Sequence, residues 1–162
     1  MAVRRIYVET SVWSHWFAED SPEAQTETRR FLRKCRDPGS SVELLVGDIV
    51  LAELSRAPDG KDLLLRGLVG EFAPTVLFGS DEAEELAQAY VAHGAMPPRK
   101  IADALHAAYA TVNHVDILAS WNYRHLVNVA RRQRIQAINS LLGYNTVLEI
   151  ITPPEVFEDA GQ

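Results

Sequence analysis

A single cysteine, Cys35, among 162 residues excludes an intrachain disulfide, argues against a cysteine-based zinc site and suits a reducing compartment. Long hydrophobic runs are missing too. No uninterrupted apolar stretch approaches membrane-spanning length, and Arg4 and Arg5 lead straight into a short apolar strand rather than into the apolar core of a signal peptide. The expectation is a soluble, cytoplasmic protein with no membrane partner. The chain also lacks an excess of positive charge: 16 basic side chains against 22 acidic ones leave a net charge of −6. Its overall field does not suit a protein that coats duplexes, so any contact with nucleic acid must be local. Two basic clusters, Arg29, Arg30, Arg33, Lys34 and Arg36, then Arg131, Arg132 and Arg134, read first as solvated helix faces. Internal repeats, low-complexity segments and long polar linkers are absent as well. The length fits one domain over residues 1–162.

What is present is ordinary globular material, 47% hydrophobic and 23% charged, in which short strands alternate with helices. Ile6–Val8, Val42–Val46, Thr75–Phe78, Ile117–Trp121 and Val147–Ile151 read as strands. Thr10 or Ser11 is suited to cap a helix from Val12 to about Phe17, Ser21 and Pro22 open one that runs to Arg36, and Asp48 is suited to cap one to Ser55. Further helices are expected over Lys61–Val69, from Ser80 and Asp81 to near Gly94, from Ile101 to Val112, and from Tyr123 to about Arg132. In the Ile101 helix Ile101, Leu105, Ala108 and Val112 have the spacing of one face, and further alanines would let the helix lie close against a sheet. Ile135–Leu142 is ambiguous, and Pro153-Pro154-Glu155 suits a terminal helical turn. Alternation of this kind favours an α/β fold with a mostly parallel sheet between helices.

Four positions carry chemistry in that frame. Glu9, Glu53 and Asp103, with either Asn122 or Asp116, lie near strand ends or helix starts on separate elements, and a doubly wound sheet brings such positions to one edge. Carboxylates that share a cleft repel one another unless protons or a cation compensate. Oxygen donors with bound water suit Mg2+ or Mn2+, which activates water and stabilises charge on a phosphate. Each residue also has a plainer reading. Glu53 could pair with Arg56, Asp103 could serve the helix dipole, His106 could be a packing residue, and Trp13, Trp16 and Trp121 could be core or interface. Thr10 and Ser11 could hydrogen-bond a metal-bound water or cap a helix. Arg124 and His125 could meet a phosphate or lie on a helix surface, and Lys100 could steer phosphate or be solvated.

Three segments carry a family resemblance: YVETSVW at Tyr7–Trp13, LAELSR at Leu51–Arg56, and ADALHAAYA at Ala102–Ala110 followed by DILASWNYRHLVN at Asp116–Asn128. Together, and with ITPPEVF near the end, they resemble PIN domains, and more narrowly the VapC-type toxin ribonucleases. The resemblance implies a PIN-like three-layer α/β/α sandwich and a metal-dependent endoribonuclease, the toxin of a type II toxin-antitoxin pair. It implies an RNA substrate, a small antitoxin partner and a homodimer. It gives metal-binding or catalytic roles to Glu9, Glu53 and Asp103, and puts Asn122 where the family has a fourth acid. Two departures follow. Glu9 stands where aspartate is usual, and Asn122 can ligate through its carbonyl oxygen but adds no charge. Asp116 lies six residues before Asn122, at about 3.3 Å per residue of strand. The alternatives are a PIN-fold module that binds RNA or protein without efficient catalysis, and an unrelated phosphatase-like hydrolase.

Overall fold

A computed structural model describes residues 2–158. Five strands, β1 (Arg4–Val8), β2 (Val42–Gly47), β3 (Thr75–Leu77), β4 (Ile117–Ala119) and β5 (Glu149–Ile151), form one sheet. Every neighbouring pair is parallel and the spatial order is β3-β2-β1-β4-β5. The chain therefore moves outward from β1 to β3, then returns across β1 to lay down β4 and β5. Between β1 and β4 the direction of winding reverses, which opens a crevice at the carboxyl ends of those two strands. In that pair Val8 lies beside Ala119, so the next residues, Glu9 and Ser120, emerge side by side.

The helices are α1 (Thr10–His15), α2 (Pro22–Arg36), α3 (Asp48–Leu54), α4 (Lys61–Phe72), α5 (Asp81–Ala92), α6 (Ile101–Val112), α7 (Val129–Leu141) and α8 (Pro153–Val156). One group packs α5 on α6 and α7, and another packs α1 on α2, α3 and α4, with α2 on α8. The result is a three-layer α/β/α sandwich. Ile6, Tyr7, Val8, Leu45, Val46, Leu118 and Ala119 are fully buried, as in a parallel sheet covered on both faces. Among the described residues no helix is long and apolar enough to cross a membrane.

Several boundaries differ from the sequence reading, each because a polar group is engaged otherwise than the local pattern suggests. Glu9, not Thr10 or Ser11, caps α1, since its carboxylate accepts the Ser11 N–H. Asp48 does not cap α3. Its carboxylate takes the Tyr109 hydroxyl at 2.8 Å and the Gly79 N–H at 3.3 Å, and Gly47 stands at the cap without a side-chain bond. The helix expected from Tyr123 begins only at Val129. Asn122 spends its backbone carbonyl on the N–H groups of Leu126 and Val127, and Asn128 caps α7 through the Arg131 N–H. The ambiguous Ile135–Leu142 stretch lies almost wholly in α7, with Ile135, Ile138 and Asn139 buried.

On α6 the alanines pack close to the sheet as expected, and the larger apolar residues are less buried than they are. Ala104, Ala107 and Ala110 are buried beside Ala108, whereas Ile101, Leu105 and Val112 are only half-buried. Small side chains let α6 approach closely, and Gly47 and Gly79 serve the same fit. A Cβ on Gly47 would lie 2.5 Å from the Tyr7 hydroxyl and 2.8 Å from the Tyr109 ring, and one on Gly79 would lie 2.6 Å from the Tyr109 hydroxyl.

Candidate hydrolytic centre

Glu9 leaves β1 at the crevice and is 5% exposed. Burying a carboxylate is costly unless its lone pairs are satisfied. Here Ser11 donates twice, from its N–H at 3.0 Å and its hydroxyl at 2.6 Å, and the Ser120 hydroxyl donates at 2.5 Å. The Ser11 hydroxyl oxygen also accepts the Trp121 N–H at 2.9 Å, and the Ser120 oxygen accepts the Asn122 N–H at 2.9 Å. The ends of β1 and β4 are thus laced together around one carboxylate.

Glu53 is held on α3 by different chemistry. Its Oε1 accepts the Thr10 hydroxyl at 2.9 Å and lies 2.7 Å from His106 Nε2. His106 is fully buried, and its Nδ1 lies 2.7 Å from the Tyr7 hydroxyl. A relay from β1 through α6 to α3 therefore fixes this acid. Burial disfavours charge on Glu53, but His106, Thr10 and, less directly, Arg56 outweigh it and hold the carboxyl below its ordinary value. Burial likewise opposes charge on His106, and Glu53, Glu9 and Asp103 together raise its pKa. Among the described residues Glu53 makes no ion pair with Arg56, because His106 occupies that role.

Asp103, in the first turn of α6, is raised by burial and then by the nearby Glu9 charge, against the lowering effects of His106, His125 and a hydrogen bond from Asn122. His125 Nδ1 stands 3.5 Å from its Oδ2. His125 is buried rather than on a helix surface. Burial and the cations Lys100, Arg131 and Arg124 keep it below its ordinary value despite Asp103, so at neutral pH it meets Asp103 uncharged. Asn122 uses its side-chain carbonyl on the His125 N–H at 3.0 Å and turns its amide toward Asp103.

The remaining candidates separate clearly. Thr10 and Ser11 hold the two glutamates, Arg124 is exposed, and Lys100 is half-buried. Asp116 sits at the opposite, amino end of β4, where its carboxylate accepts the Arg5 N–H at 2.8 Å. Trp13 is core, its indole donating to the Val8 carbonyl. Trp16 is half-buried beneath the Arg29 and Arg33 guanidinium groups. Those two arginines, like Arg36 over Phe72 and Lys34 over Phe157, cover aromatic rings and are not merely solvated. Arg131 and Arg132 donate to the carbonyls of Ala95 and Ile150.

Ser120 and Tyr7 are the residues sequence reasoning missed. Ser120 had one available signal, a lone hydroxyl within the apolar run Ile117–Trp121, two residues before Asn122. Tyr7 had only its polar tip within the otherwise apolar run Ile6–Val8.

Oxygen donors of this kind suit a hard divalent cation, and Glu9 with Asp103 supplies the close pair of carboxylates that one would neutralise. The fit is to a sparse site. Among the described residues no three His, Cys, Asp or Glu side chains gather as a ready-made metal cage, since Glu53 is turned to His106 and Glu9 to its serines. Magnesium tolerates this, because it commonly uses one or two carboxylates and completes its shell with water and phosphate oxygens.

No curated protein matches the chain. A family model of the PIN domain matches residues 6–132, which takes in Glu9, Glu53, Asp103 and Asn122 but stops before the ITPPEVF segment. With that match over most of its length, and with its acids at the switch point of a parallel sheet, the chain belongs to the PIN domain family.

Proposed function

We propose that this protein is a metal-dependent endoribonuclease, the toxin of a type II toxin-antitoxin pair. PIN domains are usually nucleases that use divalent metals. The observation that carries the reading onto this chain is the proximity of Glu9 to Asp103 at the β1–β4 crevice, close enough for one to raise the other's pKa. Glu9 and Asp103 would hold Mg2+ or Mn2+, with Glu53 and Asn122 beside them. The ion would supply an activated water and stabilise charge on the scissile phosphate. The chain's own work is orientation. Ser11 and Ser120 aim Glu9, the Tyr7–His106 relay and Thr10 aim Glu53, and Asn122 aims Asp103. The toxin role rests on the residues of the family resemblance, and implies a small antitoxin protein; a homodimer and a cytoplasmic location belong to the same reading.

Purified, partner-free protein should cleave a mixed pool of cellular RNA with Mg2+ or Mn2+, stop with chelator, and lose cleavage by 100-fold or more, as an order of magnitude, in Asp103→Asn. Unchanged cleavage in that variant would remove the assigned centre. Growth arrest on expression, relieved by a co-expressed small neighbouring protein, tests the toxin role. A second reading, a PIN-fold module that binds without turnover, is favoured by the three hydrogen bonds already satisfying Glu9 and by the neutral Asn122. It predicts RNA or protein binding with no cleavage at any metal concentration.

A further inference from the structure

The strip of chain that follows Asn122 carries groups the hydrolytic centre does not use. Tyr123 is 60% exposed, with its ring against Trp121 at 6.4 Å between centroids, and Trp121 lies against His15 at 5.9 Å. Three rings thus line up beside the centre, where Trp121 is tied through its N–H to the same Ser11 hydroxyl that holds Glu9. The strip is well anchored. The Asn128 amide donates to the carbonyls of Tyr123 and Arg124, each at 2.9 Å, and the Trp121 indole donates to Thr28 at 2.8 Å.

Charge is arranged around this strip against the trend of the chain. Arg124 follows Tyr123 directly and is exposed, Lys100 stands at the start of α6 three residues before Asp103, and Arg131 lies in the first turn of α7, in a protein whose net charge is −6. Arg131 is committed to the Ala95 carbonyl. Among the described residues Lys100 and Arg124 make no ion pair. An anchored, exposed aromatic ring followed directly by an exposed arginine free of any ion pair, at the rim of an acidic centre, fits a base stacked beside its own phosphate.

We propose that Tyr123 is the stacking platform for one unpaired nucleobase of a single-stranded nucleic acid, with Lys100 and Arg124 receiving the phosphates beside it. This rests on the nuclease reading and narrows it to substrates with an unpaired base next to the cut. Duplex bases are already stacked on one another and offer no free face to the ring.

The test measures binding without cleavage. Full-length protein in chelator is titrated against a fluorescent single-stranded RNA and a perfect duplex of the same sequence, with 2-aminopurine placed at successive positions of the single strand. Tyr123→Phe keeps the ring and should bind within about two-fold of the wild type, with the same 2-aminopurine position quenched. Tyr123→Ala should bind the single strand on the order of ten-fold more weakly, lose that quenching, and leave duplex binding unchanged. Undiminished single-strand binding and quenching in Tyr123→Ala would overturn the platform while leaving the nuclease reading intact. An equal loss for single strand and duplex would overturn it too. So would a change of oligomeric state in Tyr123→Ala with RNA binding unaltered, which would assign the ring to a protein interface. Absence of RNA binding and of cleavage by the wild type would overturn both readings together.

Discussion

At the carboxyl edge of the sheet Glu9 is 5% exposed and takes three hydrogen bonds, whereas at the amino edge Asp116 lies open to solvent and takes one from the Arg5 backbone. The neighbours differ in the same way. At the carboxyl edge Glu53 is gripped by a wholly buried histidine and Asp103 sits half-buried near a second carboxylate. At the amino edge Glu43 meets Arg5 in a half-exposed ion pair at 2.9 Å. Acidity alone therefore does not mark a site. What marks it is charge kept where water is scarce, at a standing cost to stability that only specific donors offset. Removing those donors should hurt far more at one edge than at the other.

The largest effect is expected from His106→Ala. It strips Glu53 of its imidazole and leaves the buried Tyr7 hydroxyl without a side-chain partner. Loss of about 2–4 kcal/mol of stability in denaturant melts is expected, the partial exposure of Glu53 keeping it below the fully buried limit. Tyr7→Phe removes only one end of the relay and should cost about 1 kcal/mol. A loss in His106→Ala no greater than that of an amino-edge variant would break the contrast between the edges.

The same pair gives a pH signature. His106 is raised in the folded state, so its contribution is complete below the ordinary histidine value and fades as pH rises through the raised one. Glu53 is lowered, so its contribution is complete above the ordinary glutamate value and fades as pH falls through the lowered one. Their joint contribution is greatest between about 4.5 and 6.5. The stability difference between wild type and His106→Gln, measured across pH 4–9, should peak in that window and shrink toward alkaline pH. A difference independent of pH would mean that the pair carries no charge.

These donors also decide what the sequence could disclose. The parallel α/β sheet was readable from the alternation of apolar runs with helical periods, and the position of Glu9 at a strand's carboxyl end from the run Ile6–Val8. The helix caps were not, because local chemistry was overruled from afar. Thr10 looked like a cap, yet its hydroxyl serves Glu53; Asp48 looked like a cap, yet Tyr109 holds it. On α6 the alanines were legible as a close-packing surface and are buried, whereas Ile101, Leu105 and Val112, which share the spacing of one face, are only half-buried because the closest approach falls to the small side chains. His106 looked like a packing residue on that helix and is one by burial, but its polar atoms join two elements that no sequence spacing relates.

Asp103→Asn is expected to separate activity from stability. Burial and Glu9 raise the carboxyl, so the ionised form weighs on the fold at neutral pH and that burden is relieved as pH falls below the raised value. An amide has no such burden. Alongside the loss of cleavage, the melting temperature should stay level or rise by about 1–3 °C. A fall of several degrees would mean that Asp103 is chiefly a structural partner of Asn122 and His125.

Asp116→Asn should do least, and for that reason it sharpens the comparison most cleanly. Asparagine keeps an oxygen to accept the Arg5 N–H, and the side chain is exposed, so the charge it removes is already screened by water. Stability should move by less than about 0.5 kcal/mol and metal-dependent cleavage by less than about two-fold. Asp116 immediately precedes β4, which leads on to Ser120 and Asn122, so one short buried strand joins the two ends, and a variant at one end that silences the other cannot be excused by a remote loop. Loss of cleavage in Asp116→Asn with stability intact would place the working acid at the amino edge, and the burial argument for Glu9 and Asp103 would fall with it.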